Sequence, residues 1–371
     1  MTIHLYKSIR LVSLLIFAAA LYGCDAVQQA EHASIATTEA VDEISSESRR
    51  PNNGYAVVAN RGSGTISILK APSGNVEATI SLPQEDGEPL PEPMYVSYSA
   101  VNDWFFVGDR ANSRVVAYNA RDFSVEGTAP ATGIFHMWAD VHGQQLWVTD
   151  NVNSELTVID TGTLAVLATV PVTGGTPHDV IVDPDETHAF ATVFVDGGAD
   201  QVVKYDTQTF TEVDRTDVGE DPHVAVTRTA DLLYVPCQNT NQVIVLNRST
   251  LDQEADIAVP GAHGAWMRAD DDVFFTTNLP GGGTDGLFSI DTESNSVIAS
   301  TDTHPRDLIP VPHNIVSTQS GRRLFVTHSG ATSNSVSIYN ANPQASVMRN
   351  TRVVTVGLNP FGIGFVPPSA P

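Results

Sequence analysis

From about residue 53 onward the chain is a succession of short apolar runs separated by clusters of Gly, Asn, Asp and Pro. Tyr55-Ala56-Val57-Val58-Ala59-Asn60, Leu146-Trp147-Val148-Thr149-Asp150 and Val243-Ile244-Val245-Leu246 are examples. β-Branched and aromatic residues dominate these runs, and their length suits strands rather than helices. No stretch in this part shows a helical amphipathic period. That excludes a parallel-sheet fold, which needs a helix between strands.

The pattern repeats. A turn leads into a short apolar run at Pro93-Met94-Tyr95-Val96, Ile134-Phe135-His136-Met137, Thr176-Pro177-His178-Asp179-Val180, Asp221-Pro222-His223-Val224, Gly261-Ala262-His263-Gly264, Val311-Pro312-His313-Asn314-Ile315 and Asn359-Pro360-Phe361-Gly362-Ile363. Aligned on their third residues, these marks stand 41, 42, 45, 40, 50 and 48 residues apart. Each interval holds three further runs, as in Leu146–Asp150, Thr157-Val158-Ile159-Asp160 and Ala165–Val170. Four short strands per repeat describe a propeller blade. The expected fold is all-β: a seven-bladed β-propeller with four antiparallel strands per blade. The chain enters on a second strand, Tyr55–Asn60, and leaves on a first strand at Phe361–Phe365. Pairing those two segments in one blade closes the ring and removes its open edges.

Leu146-Trp147-Val148-Thr149-Asp150, Leu324-Phe325-Val326-Thr327-His328 and Phe275-Thr276-Thr277-Asn278 resemble the repeat of the YVTN β-propeller family. The resemblance spans about residues 53 to 366 and implies the fold. It does not imply one activity, because this architecture serves binding, lactone hydrolysis, redox chemistry and scaffolding.

The N-terminus reads differently. Lys7 and Arg10 precede an apolar run from Leu11 to Leu21, too short to span a bilayer. Leu21-Tyr22-Gly23-Cys24 resembles the lipobox of bacterial lipoproteins, which implies cleavage before Cys24 and lipid attachment to it. Residues 25 to about 52 are poor in large apolar groups and cannot bury a core of their own. The expected organisation is a signal peptide at 1–23, a lipid-anchored flexible tether at 24–52, the propeller at 53–366 and a short tail at 367–371. This places the domain on a bacterial cell envelope, at its periplasmic or extracellular face, with the membrane as a partner through the Cys24 lipid.

The 371 residues carry 43 acidic against 19 basic side chains, a net charge of −24. Such a surface repels nucleic acid and attracts cations or basic partners. The two cysteines, Cys24 and Cys237, cannot build a disulfide framework, so Cys237 is expected as a lone thiol.

Histidine supplies the candidate chemistry. His136, His178, His223, His263 and His313 recur at the start of the innermost strand, so the fold gathers them at one mouth of the central channel, completed by Tyr95 and Phe361. Imidazole suits Zn or Cu, the metals expected if the ring binds one. The ends of the second strands face the same mouth and add His328, with Cys237 and Asp150 as further candidates; His304 lies in a loop before Pro312-His313. Repeat inheritance offers a plainer origin for the ring, in which each imidazole only hydrogen-bonds a neighbouring blade. Gly281-Gly282-Gly283-Thr284 lacks the following helix that a phosphate loop needs, and Asp270-Asp271-Asp272 reads as a solvated turn.

Thr176-Pro177-His178-Asp179, with the runs Ala191–Val195 and Gln201–Tyr205, is similar to the copper-cluster propeller domain of nitrous oxide reductase. That enzyme's electron-entry domain and cysteine pair have no counterpart here, so the resemblance implies metal binding and not the activity. The expected function is non-enzymatic: an envelope lipoprotein that binds a transition metal, or a small ligand through it, fading below about pH 6 where free histidine protonates. Two alternatives stand beside it. One is a metal-assisted lactone or ester hydrolase, or a copper redox enzyme, with Asp179 or Asp150 near bound water. The other is a scaffold for an envelope protein, whose histidine ring is purely structural.

Overall fold

The computed structural model describes residues 53–140, 142–279, 285–301, 308–341 and 348–368. Among these residues there is no helix, and the strands fall into seven four-stranded antiparallel sheets arranged as a β-propeller. The first sheet holds β1 (Tyr55–Asn60), β2 (Thr65–Lys70) and β3 (Asn75–Ser81). Five blades then run in chain order: β4 (Pro93–Ser99) to β7 (Val125–Pro130), β8 (Ile134–Ala139) to β11 (Val166–Pro171), β12 (Thr176–Val182) to β15 (Thr211–Asp217), β16 (Ala225–Val226) to β19 (Gln253–Ala258), and β20 (Ala262–Met267) to β23 (Ser296–Ser300). The last full blade runs from β24 (Pro312–Ser317) to β27 (Arg349–Thr355). β28 (Pro360–Val366) returns to pair with β1, from Tyr55 opposite Val366 to Asn60 opposite Pro360. The ring therefore closes as expected, with the innermost strand of the first blade supplied by the C-terminal segment.

Burial grades outward through each blade. β1 is buried at every position, whereas the outermost β3, β7 and β11 are largely exposed. Side chains of adjacent sheets interleave: Phe106 packs in one cluster with Leu146 and Val148 of the next blade. Trp147, Phe190, Tyr234, Phe274 and Phe325 are fully buried between blades. Each such side chain contributes roughly 1.5–3 kcal/mol of hydrophobic stabilisation.

One irregularity recurs and sets the channel's lining. In six blades the innermost strand carries an extra residue against its partner, as between Pro93/Val96, Ile134/Met137, Pro177/Val180, Ala262/Ala265, Pro312/Ile315 and Pro360/Ile363. In the remaining blade Pro222 bridges Cys237 and Ala225 pairs with Tyr234, an unshifted register without the extra residue. A bulge re-aims side chains, so two consecutive residues can serve the channel instead of one in two. The first tier is Met94, Phe135, His178, His223, His263, His313 and Phe361. The second tier is Tyr95, His136, Asp179, Gly264, Asn314 and Gly362, and the blade of β16, which has no bulge, adds none.

This register corrects the repeat alignment. His136 is equivalent to Asp179 and Asn314, not to His178, and Phe135 takes the first-tier place. Four hydrogen bonds fix the equivalence. The amides of His136, Asp179, Gly264 and Asn314 donate to Thr149, Thr192, Thr277 and Thr327 Oγ1 at 2.8, 2.9, 2.8 and 3.1 Å. Thr149, Thr277 and Thr327 donate onward to the carbonyls of His178, His313 and Phe361 in the next blade, at 3.0, 2.7 and 2.7 Å. One hydroxyl thus ties its own bulge to the neighbouring innermost strand.

Candidate metal centre

The bulges bring far-separated aromatic rings into contact around the axis. Along the first tier, ring centroids lie 5.0 Å apart for Phe135–His178, 4.4 Å for His178–His223, 4.0 Å for His223–His263, 4.8 Å for His263–His313 and 4.1 Å for His313–Phe361. His136 sits one tier away, 5.1 Å from His178 and 5.0 Å from His223, and its ring lies 3.7 Å from that of Tyr95 at a tilt of 32°. All five histidines are buried.

His136, His178 and His223 can each present a nitrogen within 4.8 Å of the other two. Two come from the first tier and one from the second, and the triad draws on three successive blades. Asp179 organises it. Its Oδ1 lies 2.9 Å from His136 Nδ1 and its Oδ2 3.4 Å from His223 Nδ1. The carboxylate also accepts the amides of Val180 at 2.8 Å and Val224 at 3.1 Å. His178 Nδ1 lies 3.1 Å from the carbonyl of Pro222.

Carboxylate and carbonyl oxygens only accept, so all three Nδ1 atoms carry the proton and all three Nε2 atoms carry a lone pair. A carboxylate or carbonyl behind the imidazole is the usual outer support of a histidine ligand. His136 Nε2 and His223 Nε2 are buried and have no hydrogen-bond partner, and neither ring nitrogen of His263 has one. Leaving such a group unsatisfied costs about 1–3 kcal/mol.

Burial pushes the pKa of His136 below the ordinary histidine value, and that of His178 well below it, with the neighbouring imidazoles adding to the second shift. The same two causes hold His263 well below it, and burial brings His313 to about 3. Burial alone would raise Asp179, but the flanking His136 and His223 rings keep it well below the usual carboxylate range. His136, His178, His263 and His313 are thus neutral imidazoles near one ionised carboxylate.

The other sequence candidates lie apart from this cluster. His328 ends β25 (Arg323–His328), where Nδ1 is 2.9 Å from Pro310 O and Nε2 is 2.6 Å from Ser337 Oγ. Both its nitrogens are engaged, and burial lowers its pKa to about 4. Cys237 is buried and its Sγ contacts Val235 O at 3.4 Å; burial raises the thiol to about 12, and it is not part of the histidine triad. Asp150 accepts the amides of Val152 and Asn153, both at 2.9 Å, and caps its own turn. His304, Cys24 and the 281–284 loop lie outside the described residues. In the acidic run, Arg268 pairs with Asp270 and Asp272, while Asp271 accepts the amides of Arg228 and Thr229.

No family model matches this chain, and no curated protein matches it. Solved structures do. A 6-phosphogluconolactonase-like protein from Bacteroides fragilis superposes with a TM-score of 0.66 at 15% identity, covering 85% of this chain and 98% of that one. Kuenenia stuttgartiensis hydrazine synthase gives 0.63 at 15%, covering 76% and 92%. The dihydro-heme d1 dehydrogenase NirN gives 0.59 at 14%, covering 86% and 76%. The likeness is one of fold.

Asp179 is expected from the sequence as a carboxylate near bound water, but its pairing with His136 and His223 is not. One feature escaped the repeat pattern. Trp138 and Trp266 occupy the same bulge-relative position, two residues beyond the second tier. With Tyr95, His136, Asp179, His223 and Asn314 they line a cavity of about 60 Å³ in the channel. The recurrence of tryptophan at that offset is the signal that marks them.

Proposed function

We propose that this chain is a bacterial envelope lipoprotein, anchored through Cys24, whose propeller holds a transition-metal ion on His136, His178 and His223. The observation that carries this reading is the shared tautomer of the triad: Asp179 and Pro222 O occupy Nδ1, which leaves Nε2 of His136 and His223 buried and without a partner. Neutral imidazoles suit zinc and copper alike. Three protein ligands leave a coordination position for water or a small ligand. Metal assays on untagged protein test the reading. Wild type should retain close to one equivalent, and the His136/His178/His223 triple alanine variant should lose it while keeping its β-sheet circular dichroism. Equal metal content in the two proteins removes the proposal.

A structural ring is the second reading. The bonds from His178 Nδ1 to Pro222 O and from His313 Nδ1 to Phe361 O at 3.3 Å favour it, since both join neighbouring blades. It leaves His263 unexplained, because a buried imidazole without any partner adds nothing to such a ring.

A further inference from the structure

We infer that the ion's exchangeable ligand is a molecule of no more than about three non-hydrogen atoms, admitted to the small cavity beside the triad. This rests on the metal reading of the same three histidines. His136 and His223 both line the cavity, and both carry a buried Nε2 without a partner, so an ion they share borders that space. Its volume is about 60 Å³. A water molecule's share of liquid volume is about 30 Å³, so the space holds two or three small atoms' worth of ligand. Pockets that take metabolite-sized molecules run to roughly 300–1,000 Å³.

The walls do not widen it readily. On one side the first tier is a packed set of buried rings, from Phe135 through the four histidines to Phe361. On the other stand Trp138 and the Trp266 indole, which is fixed by its N–H to Ser317 Oγ at 2.9 Å. The polar lining suits a small hydrogen-bonding ligand. Asp179 supplies an acceptor, while Tyr95 and Asn314, joined at 3.0 Å, supply a hydroxyl and an amide. The size limit excludes a lactone or ester of metabolite size as substrate at this ion, whatever chemistry the fold performs elsewhere.

The test compares small anions with a larger one, formate and benzoate sharing the same carboxylate chemistry. Full-length protein is loaded with Co(II), and its visible bands are followed during titration with azide, formate and benzoate. Azide and formate should shift the bands saturably, and benzoate should bind at least about tenfold more weakly or not at all. Trp138→Ala or Trp266→Ala should admit benzoate; using both guards against one variant failing to fold, which thermal unfolding will report. Absence of any Co(II) spectrum sinks the metal reading and this inference together. A normal Co(II) spectrum that responds equally to formate and benzoate, or to neither, overturns the inference alone.

Discussion

The Asp179 carboxylate reaches His136 Nδ1 at 2.9 Å across a blade boundary, although 43 residues separate them in sequence. Its second oxygen lies 3.4 Å from His223 in the blade beyond. One side chain thus sets the tautomer of two rings from blades that are not its own. It can do so because the bulge in β12 turns Asp179 into the channel directly after His178.

Asp179→Asn should keep the fold and the three imidazoles but weaken metal binding. An amide can donate to Nδ1, which favours the tautomer with Nε2 protonated. Loss of such a support typically costs 10–100-fold in affinity. Competition with a chromophoric chelator measures it, and unchanged affinity would show that Asp179 positions nothing.

The buried histidines make stability pH-dependent. The folded pKa of His313 is about 3 against an unfolded value of 6.5, and that of His328 is about 4. Below pH 6.5 the unfolded chain takes up protons that the folded chain refuses. The stability of the metal-free protein is therefore complete above about pH 6.5 and declines as pH falls towards these folded values. The slope reaches about 1.4 kcal/mol per pH unit for each such histidine. Urea midpoints between pH 7.5 and 5 will report it, and a flat profile would contradict the burial.

Thr327→Val tests the stitch between blades. Thr327 Oγ1 receives the Asn314 amide at 3.1 Å and gives its proton to Phe361 O at 2.7 Å. Valine fills the space and leaves the Asn314 amide without a partner, while Phe361 O keeps the His313 and Asn314 side chains at 3.3 and 3.2 Å, so the expected loss is about 1–3 kcal/mol. Denaturant unfolding at pH 7.5 checks this. A change within about 0.5 kcal/mol, as for an ordinary surface position, would mean the hydroxyl is dispensable.

Cys24→Ala addresses the anchor. Removing the lipid acceptor should move the protein from the membrane pellet to the soluble fraction of an expressing bacterium, with the propeller still folded. Membrane association that survives the substitution would point to another means of attachment.

The blade count, the closing strand and the gathering of five histidines were legible because each depends only on the period of apolar runs. The tier of each residue was not. The Pro-His turns at Pro177, Pro222 and Pro312 align themselves, but Ile134 replaces proline in the blade of β8, and Phe135-His136 offers two rings for one place. Only the pairing of Ile134 with Asp150, and of Met137 with Val148, decides between them. Asp179 was legible as an acid near the mouth, yet its two imidazole partners come from other blades and leave no local trace. Gly264 and Gly362 show the same limit. At Gly362 a Cβ would stand 2.3 Å from Met94 O, and at Gly264 2.4 Å from His313 O. Both glycines look like turn residues in sequence and are in fact the places where neighbouring innermost strands come closest.

The pairing of β1 with β28 also bears on how the chain is made. β1 has no inner neighbour until Pro360–Val366 has been synthesised, because nothing earlier in the sequence supplies that strand. A nascent chain is therefore a row of blades with an unfinished end, and the circle shuts only after Pro360–Val366 has emerged. Contacts of such long range are slow to form. If the chain is exported, as proposed, that delay leaves time to be threaded across a membrane before the ring locks.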